Sequence, residues 1–300
     1  MKPPVAAVIS DLDNTLYDWV AMWGAAFTAM LRVLVKQSGI DQGVIEVEAR
    51  HVHQRYGTTE FSFLIESLPS LRRKHAGQNL AEIYADAIVA YREARETSLC
   101  LFPTVLDTLR ALKARGCLVV GYTDSRAFYS AYRIRKLGLD GVLDFLFSLP
   151  DHDMPGDPDA IRKQPSEACT FEKTIHRHTP EGAAKPNPQV LADIMRDVGA
   201  VRNRTVYVGD SLMKDVLMAQ ETGVTDVFAM YGLAQHRKEY ELLRRVSHWT
   251  DADIQREKTL KATHNVHPSY TLNERFAELL DLFDFQPFAA HRVASPRRTD

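Results

Sequence analysis

Five stretches of this chain, Val5–Ser10, Cys117–Tyr122, Leu143–Ser148, Thr205–Val208 and Val224–Ala229, are short, apolar and mostly β-branched or aromatic. A strand with one wet face alternates polar and apolar residues. A near-continuous apolar run is buried on both faces and belongs in a parallel sheet covered by helices. Helices are legible between most of these runs. VLDTLRALKARG, Val105 to Gly116, repeats apolar residues at Val105, Leu106, Leu109 and Leu112 and stops at a glycine, as an amphipathic helix feeding a strand does. In NPQVLADIMRDVG, Asn187 suits an N-cap and Pro188 the first helical position; Val190, Leu191, Ile194, Met195 and Val198 share a face, and Gly199 ends it. This alternation predicts an α/β fold, a doubly wound parallel sheet.

The first and second runs are too far apart for one crossover. Residues 18–101 between them read as almost wholly helical, with stripes at Trp19, Trp23, Phe27, Met30, Leu31 and Leu34, and at Leu80, Ile83, Tyr84, Ala87, Ile88 and Tyr91. Such stripes suit a small bundle inserted just after the first strand. The expected organisation is therefore an α/β core formed by 1–17 and 102–286, interrupted by a helical domain over 18–101. Residues 149–184, acidic and Pro/Gly-rich at first, read as an extended insertion with one hairpin, because a structureless loop of that length is unusual in a compact domain. The basic tail 287–300 reads as disordered.

A chain of 300 residues with 45% hydrophobic content can bury cores for two such units. Lys plus Arg at 37 nearly balance Asp plus Glu at 39, so there is no long-range attraction to a nucleic acid polymer or an anionic membrane, and an anionic ligand must be recognised locally. Cys100, Cys117 and Cys169 are scattered; they read as reduced, mostly buried thiols in a cytoplasmic protein. No signal peptide and no uncharged run of bilayer length is legible.

In an open parallel sheet the ligand crevice lies beyond the carboxyl ends of the strands. There the sequence places Asp11-Leu12-Asp13-Asn14-Thr15, Thr123-Asp124-Ser125, Lys185-Pro186-Asn187-Pro188, and Gly209-Asp210-Ser211 with Asp215 one turn on. Acids, a hydroxyl and a lysine together suit phosphoryl transfer through a covalent intermediate. A carboxylate can attack phosphorus if the charge on the phosphoryl oxygens is neutralised by a metal and fixed donors. Oxygen-rich sites favour Mg²⁺, and Lys185 supplies a compact positive charge. Thr123, read as standing where a helix is about to begin, offers its hydroxyl and the N–H groups of Asp124 and Ser125 to a phosphate oxygen. In extended backbone Asp11 and Asp13 lie on one side, so one can attack while the other handles protons.

These residues resemble the haloacid dehalogenase superfamily of phosphohydrolases, whose motifs match in order: DLDNT, a strand-ending threonine, a lysine and GDSLMKD. The resemblance implies a Rossmann-like core with a helical cap of the type that closes over small substrates. It implies Asp11 as nucleophile and Asp13 as general acid and base, with the Asp13 backbone carbonyl also facing the metal. Asp210 would bind Mg²⁺, Asp215 would support the metal or orient Lys185, and Thr123 and Lys185 would hold the phosphate. The family also contains true dehalogenases. A halide leaves without a proton and an alkoxide needs one, so Asp13 favours phosphate esters.

The implied activity is Mg²⁺-dependent removal of phosphate from a small metabolite, a nucleoside monophosphate or a sugar phosphate, with DLDNTLYD tilting the reading toward the nucleotide. A phosphomutase and a non-catalytic phospholigand-binding protein are the alternatives. Trp19, Trp23 and Phe27 read as core of the helical region rather than substrate contacts. His176 and His178 read as exposed histidines rather than metal ligands. Either the helical region or the 149–184 insertion is placed to make a homodimer contact.

Overall fold

A computed structural model describes residues 1–151, 170–252, 255, 259 and 263–289. Its strands are β1 (Pro4–Val5), β2 (Ala7–Ser10), β3 (Leu118–Arg126), β4 (Phe145–Leu149), β5 (Ile175–His178), β6 (Thr205–Gly209), β7 (Thr225–Ala229), β8 (Tyr270–Leu272) and β9 (Asp284–Phe285). Seven form one sheet in the order β5-β4-β3-β2-β6-β7-β8, and every pairing in it is parallel. The fold is therefore the expected doubly wound α/β sheet. Near-continuous apolar sequence is explained by position: Val8 and Ile9 on the central strand and Val119 and Val120 beside them are fully buried.

The order reverses at β2. The chain adds β3, β4 and β5 on one side, then returns to place β6 on the other, with Ala7 facing both Leu118 and Thr205. Diverging crossovers open a crevice at the carboxyl ends of β2 and its neighbours. The helix Pro188–Val198 packs Val190, Leu191, Ile194, Met195 and Val198 against Tyr122, Tyr207 and Ala219. Its ends follow the chemistry read from sequence: Asn187 accepts from the Val190 N–H, and Gly199 closes the helix at φ 73°.

Two details of the strands differ from expectation. Val5 leaves the main sheet and pairs in β1 with Phe285 of β9, so only Ala7–Ser10 forms the central strand. Ile175–His178 adds a parallel edge strand beside β4; residues 152–169 of the expected insertion, with Cys169 and the stretch expected to form a hairpin, lie outside the described residues. At this sheet edge the side chains are only partly buried: Ile175 and His178 are exposed, His176 and Arg177 half-buried. The tail from 290 also lies outside the described residues. Of the cysteines, Cys117 is buried and Cys100 exposed, both free.

The chain divides into two units: Met1–Tyr17, Leu101–Leu233 and Asn265–Asp300 carry the sheet, while Asp18–Cys100 and Ala234–His264 make a helical unit. The second piece of the helical unit lies within 102–286, the range that the sequence assigns to the core. Its helix Lys238–Val246 buries Leu243 and Val246 and packs against the helices Trp19–Ser38 and Gln42–Tyr56. Trp23 and Phe27 are buried in this unit, with ring centroids 5.0 Å apart. Trp19–Ser38 is long and apolar enough by composition to cross a bilayer, and half of that stretch is buried within the fold.

Candidate active site

The turn after β2 is built to bring acids back over the strand ends. Asn14 sits at φ 59°, a left-handed conformation that asparagine tolerates better than most residues, and its N–H donates to Tyr17 O at 2.8 Å. Gly232 presses on the same turn. A Cβ at that position would lie 1.9 Å from Asn14 O and 3.1 Å from Asp210 Cβ, so only glycine allows the approach. Tyr231 Oη donates to Thr15 O at 2.6 Å.

Asp11 is buried, with Lys185 Nζ 2.5 Å from its Oδ1 and Thr15 Oγ1 donating to its Oδ2 at 3.1 Å. The same ammonium lies 3.1 Å from Asp215 Oδ1, over the rings of Tyr122 at 4.7 Å and Tyr207 at 5.6 Å. Asp215 stands in a single π turn, Leu212–Val216, a feature that often marks functional positions. It also accepts from Tyr207 Oη at 2.9 Å and from the Ser211 N–H at 3.1 Å. Gly209 makes room for it, since a Cβ there would lie 2.3 Å from Asp215 Cγ.

Carboxylate oxygens of Asp11, Asp210 and Asp215 lie within 4.8 Å of one another. Burial, against the pull of Lys185 and with the Asp215 and Asp13 charges, raises Asp11 to about 7. Burial and the charges of Asp11 and Asp215 push Asp210 well above the usual carboxylate range. For Lys185, burial opposes the charge, but Asp11 and Asp215 outweigh it and hold the ammonium protonated. Asp11 and Asp210 thus resist ionising, and with Asp215 they gather oxygen donors that fit a hard divalent cation.

Asp13 is arranged differently. Its Oδ2 accepts from Thr123 Oγ1 at 3.0 Å and Ser125 Oγ at 2.7 Å, and its Oδ1 from Arg133 Nη1 at 3.2 Å. Its side chain therefore stands apart from the three-acid cluster; the sequence assigned its metal contact to the backbone carbonyl. Thr123 needs correction as well. β3 runs on to Arg126 through a register irregularity, and the helix begins only at Ala127, so Thr123 lies inside the strand rather than at a helix start. Asp124 accepts from the Lys185 N–H at 3.2 Å and thus fixes the lysine's loop.

Sequence reasoning passed over Arg133, Tyr207 and Gly232 as parts of the site, and read Ser125 for its backbone N–H rather than its hydroxyl and Thr15 only within the first motif. Their only signals were a hydroxyl two residues after Thr123 and an arginine among apolar neighbours. At the sheet edge His176 is half-buried rather than exposed, with Nε2 2.8 Å from Ser148 Oγ, while His178 is exposed.

A family model described as haloacid dehalogenase-like hydrolase matches residues 5–223. The glyceraldehyde 3-phosphate phosphatase of Methanopyrus kandleri is 24% identical over 230 residues, covering 74% of this chain and 83% of that protein. The enzyme of the same name from Pyrococcus furiosus is 24% identical over 229 residues, covering 76% and 82%. Among solved structures, a 2-haloacid dehalogenase from Pseudomonas syringae superposes with a TM-score of 0.52 at 18% identity, covering 93% of this chain and 97% of that one. A haloacid dehalogenase-type phosphatase from Thermococcus onnurineus gives 0.51 at 16%, covering 95% and 100%. At these identities the structural likeness concerns the fold.

Proposed function

The chain belongs to the haloacid dehalogenase-like hydrolases, and from that premise we propose that it is a phosphatase hydrolysing a small phosphorylated metabolite through an aspartyl phosphate on Asp11. The observation that carries this reading is the Lys185 ammonium between Asp11 and Asp215, with Asp210 beside them. An anionic nucleophile, a fixed cation and a cluster of oxygen donors are what phosphoryl transfer needs in one place.

In this reading an Asp11 oxygen bonds to phosphorus as the ester P–O bond breaks. Asp13 gives the leaving oxygen its proton, then takes one from the water that cleaves the acyl phosphate. Lys185 holds phosphoryl oxygens near Asp11. Thr123 does so as its hydroxyl turns from Asp13, and Asp124 keeps the lysine's backbone in place. Asp11, Asp210 and Asp215, with the Asp13 backbone carbonyl, would hold Mg²⁺, which when bound supplies charge neutralisation at the phosphoryl group.

For the substrate, the curated relatives favour a phosphorylated sugar over the nucleotide toward which the first motif tilted the sequence reading. The test is Mg²⁺-dependent phosphate release from a panel that contains glyceraldehyde 3-phosphate, other sugar phosphates and nucleoside monophosphates, run beside Asp11→Asn. Release undiminished by that change would sink the assignment of the nucleophile. Preference for the nucleoside monophosphates would overturn the sugar reading alone.

A further inference from the structure

The helix Ala127–Lys136 turns Tyr129, Ser130, Ala131, Arg133 and Ile134 inward. A guanidinium among them is out of place by composition: Arg133 is 0% exposed, and a buried charge persists only where it is well partnered. Its Nη1 lies 3.2 Å from Asp13 Oδ1 and 3.3 Å from Ser125 Oγ. The guanidinium carbon lies 5.9 Å from the Tyr17 ring centroid and 5.8 Å from that of Tyr129. Aromatic faces hold a planar cation in one orientation. The arginine is thus held between its own helix, through Tyr129, and the turn that carries Asp13, through Tyr17.

We propose that Arg133 is a positioning residue that, with Ser125, fixes the Asp13 carboxylate for proton transfer. The proposal rests on the reading of Asp13 as the acid and base. The geometry divides the two oxygens. Oδ2 accepts from both Thr123 and Ser125, and Ser125 continues to hold it when Thr123 turns to the phosphoryl group. Oδ1, the oxygen that Arg133 touches, keeps the capacity to exchange a proton with a substrate oxygen. Without the arginine, the carboxylate can rotate about its terminal bond, a broad and soft torsion, and the proton is no longer aimed. If packing alone were served, an apolar side chain of similar length would fill this face, and replacing a buried ion pair that way is often neutral for stability. Here the partner is the residue assigned to proton transfer, so the pair has a use that packing does not supply.

The experiment compares kcat/KM on two esters, p-nitrophenyl phosphate, whose leaving group departs without a proton, and glycerol phosphate, whose alkoxide needs one. Asp13→Asn sets the pattern for loss of the acid: about 10²-fold or more on glycerol phosphate and much less on p-nitrophenyl phosphate. Arg133→Met follows that pattern, Arg133→Lys recovers at least about tenfold on glycerol phosphate, and Ser125→Ala shows a weaker loss with the same selectivity. Should Arg133→Met fail to fold, the lysine and Ser125→Ala variants carry the comparison. Equal losses on both esters in the Arg133 and Ser125 variants, beside a selective Asp13→Asn, overturn the positioning role. An Asp13→Asn that is itself unselective removes the acid role, and the proposal with it.

Discussion

Lys185 Nζ lies 2.5 Å from Asp11 Oδ1, with Asp215 Oδ1 on its other side at 3.1 Å, so one buried ammonium answers two buried carboxylates. Lys185→Met removes that answer and keeps most of the volume. The metal-free variant is expected to lose about 3–5 kcal/mol, the usual consequence of stranding a buried charge, measured by urea unfolding. Added Mg²⁺ should recover part of the loss, because a cation in the three-acid cluster offsets the same charge. Phosphatase kcat/KM should fall by about 10²–10³. A variant as stable and active as the parent would show that the ammonium does neither job.

Crowding in the same cluster sets a pH dependence whose sign follows from burial. Asp11 is raised from 3.8 to about 7, so the folded chain holds this proton more tightly than the unfolded one. The stabilisation is fully present below about pH 4 and is lost as pH rises through about 7. A divalent cation must displace that proton. Mg²⁺ affinity should therefore rise by at least about tenfold per pH unit between 5 and 7, since Asp210 resists ionising too, as followed by calorimetric titration. A flat profile over that range would remove Asp11 from the cation site.

Two glycines are expected to tolerate nothing larger. Gly209→Ala puts a Cβ 2.3 Å from Asp215 Cγ, and Gly232→Ala puts one 1.9 Å from Asn14 O. The clash at 209 meets a side chain that can move; the one at 232 meets backbone. Gly232→Ala should thus lose more stability, on the order of 3 kcal/mol or more, against about 1–3 for Gly209→Ala. Gly209→Ala should instead lose activity out of proportion to stability, since Asp215 must shift away from Lys185. Thermal melts and kcat/KM on the two variants separate these outcomes.

What the sequence disclosed depended on how local the signal was. The helix Pro188–Val198 could be read to its caps because Asn187, Pro188 and Gly199 act on their own neighbours. The turn acids and Lys185 were legible because polar residues just past buried strands have few structural uses. Arg133, Tyr207 and the Ser125 hydroxyl were not, because side chains on the inner faces of elements look like ordinary core or cap chemistry until a distant partner is known. The same limit hid the allegiance of Lys238–Val246: an amphipathic stripe states that a face is buried and is silent about what buries it. Edge strands β5 and β8 are too short and too little buried to carry a period.

That helix yields the last prediction. His53, fully buried on the helix Gln42–Tyr56, donates through Nδ1 to Val246 O at 2.6 Å, and its Nε2 has no hydrogen-bond partner among the described residues. Burial lowers its pKa from 6.5 to about 4, with the Val246 bond pulling weakly the other way. The unfolded chain then binds the proton that the folded one refuses. Stability contributed by neutral His53 is complete above about pH 6.5 and falls by about 1.4 kcal/mol per unit as pH drops toward 4. His53→Gln retains a donor for Val246 O and has no proton to gain, so its stability should fall less steeply across that range. Urea midpoints for both proteins between pH 7 and 4 decide the matter: converging curves on acidification support the assignment, and parallel curves would place the acid sensitivity elsewhere in the helical unit.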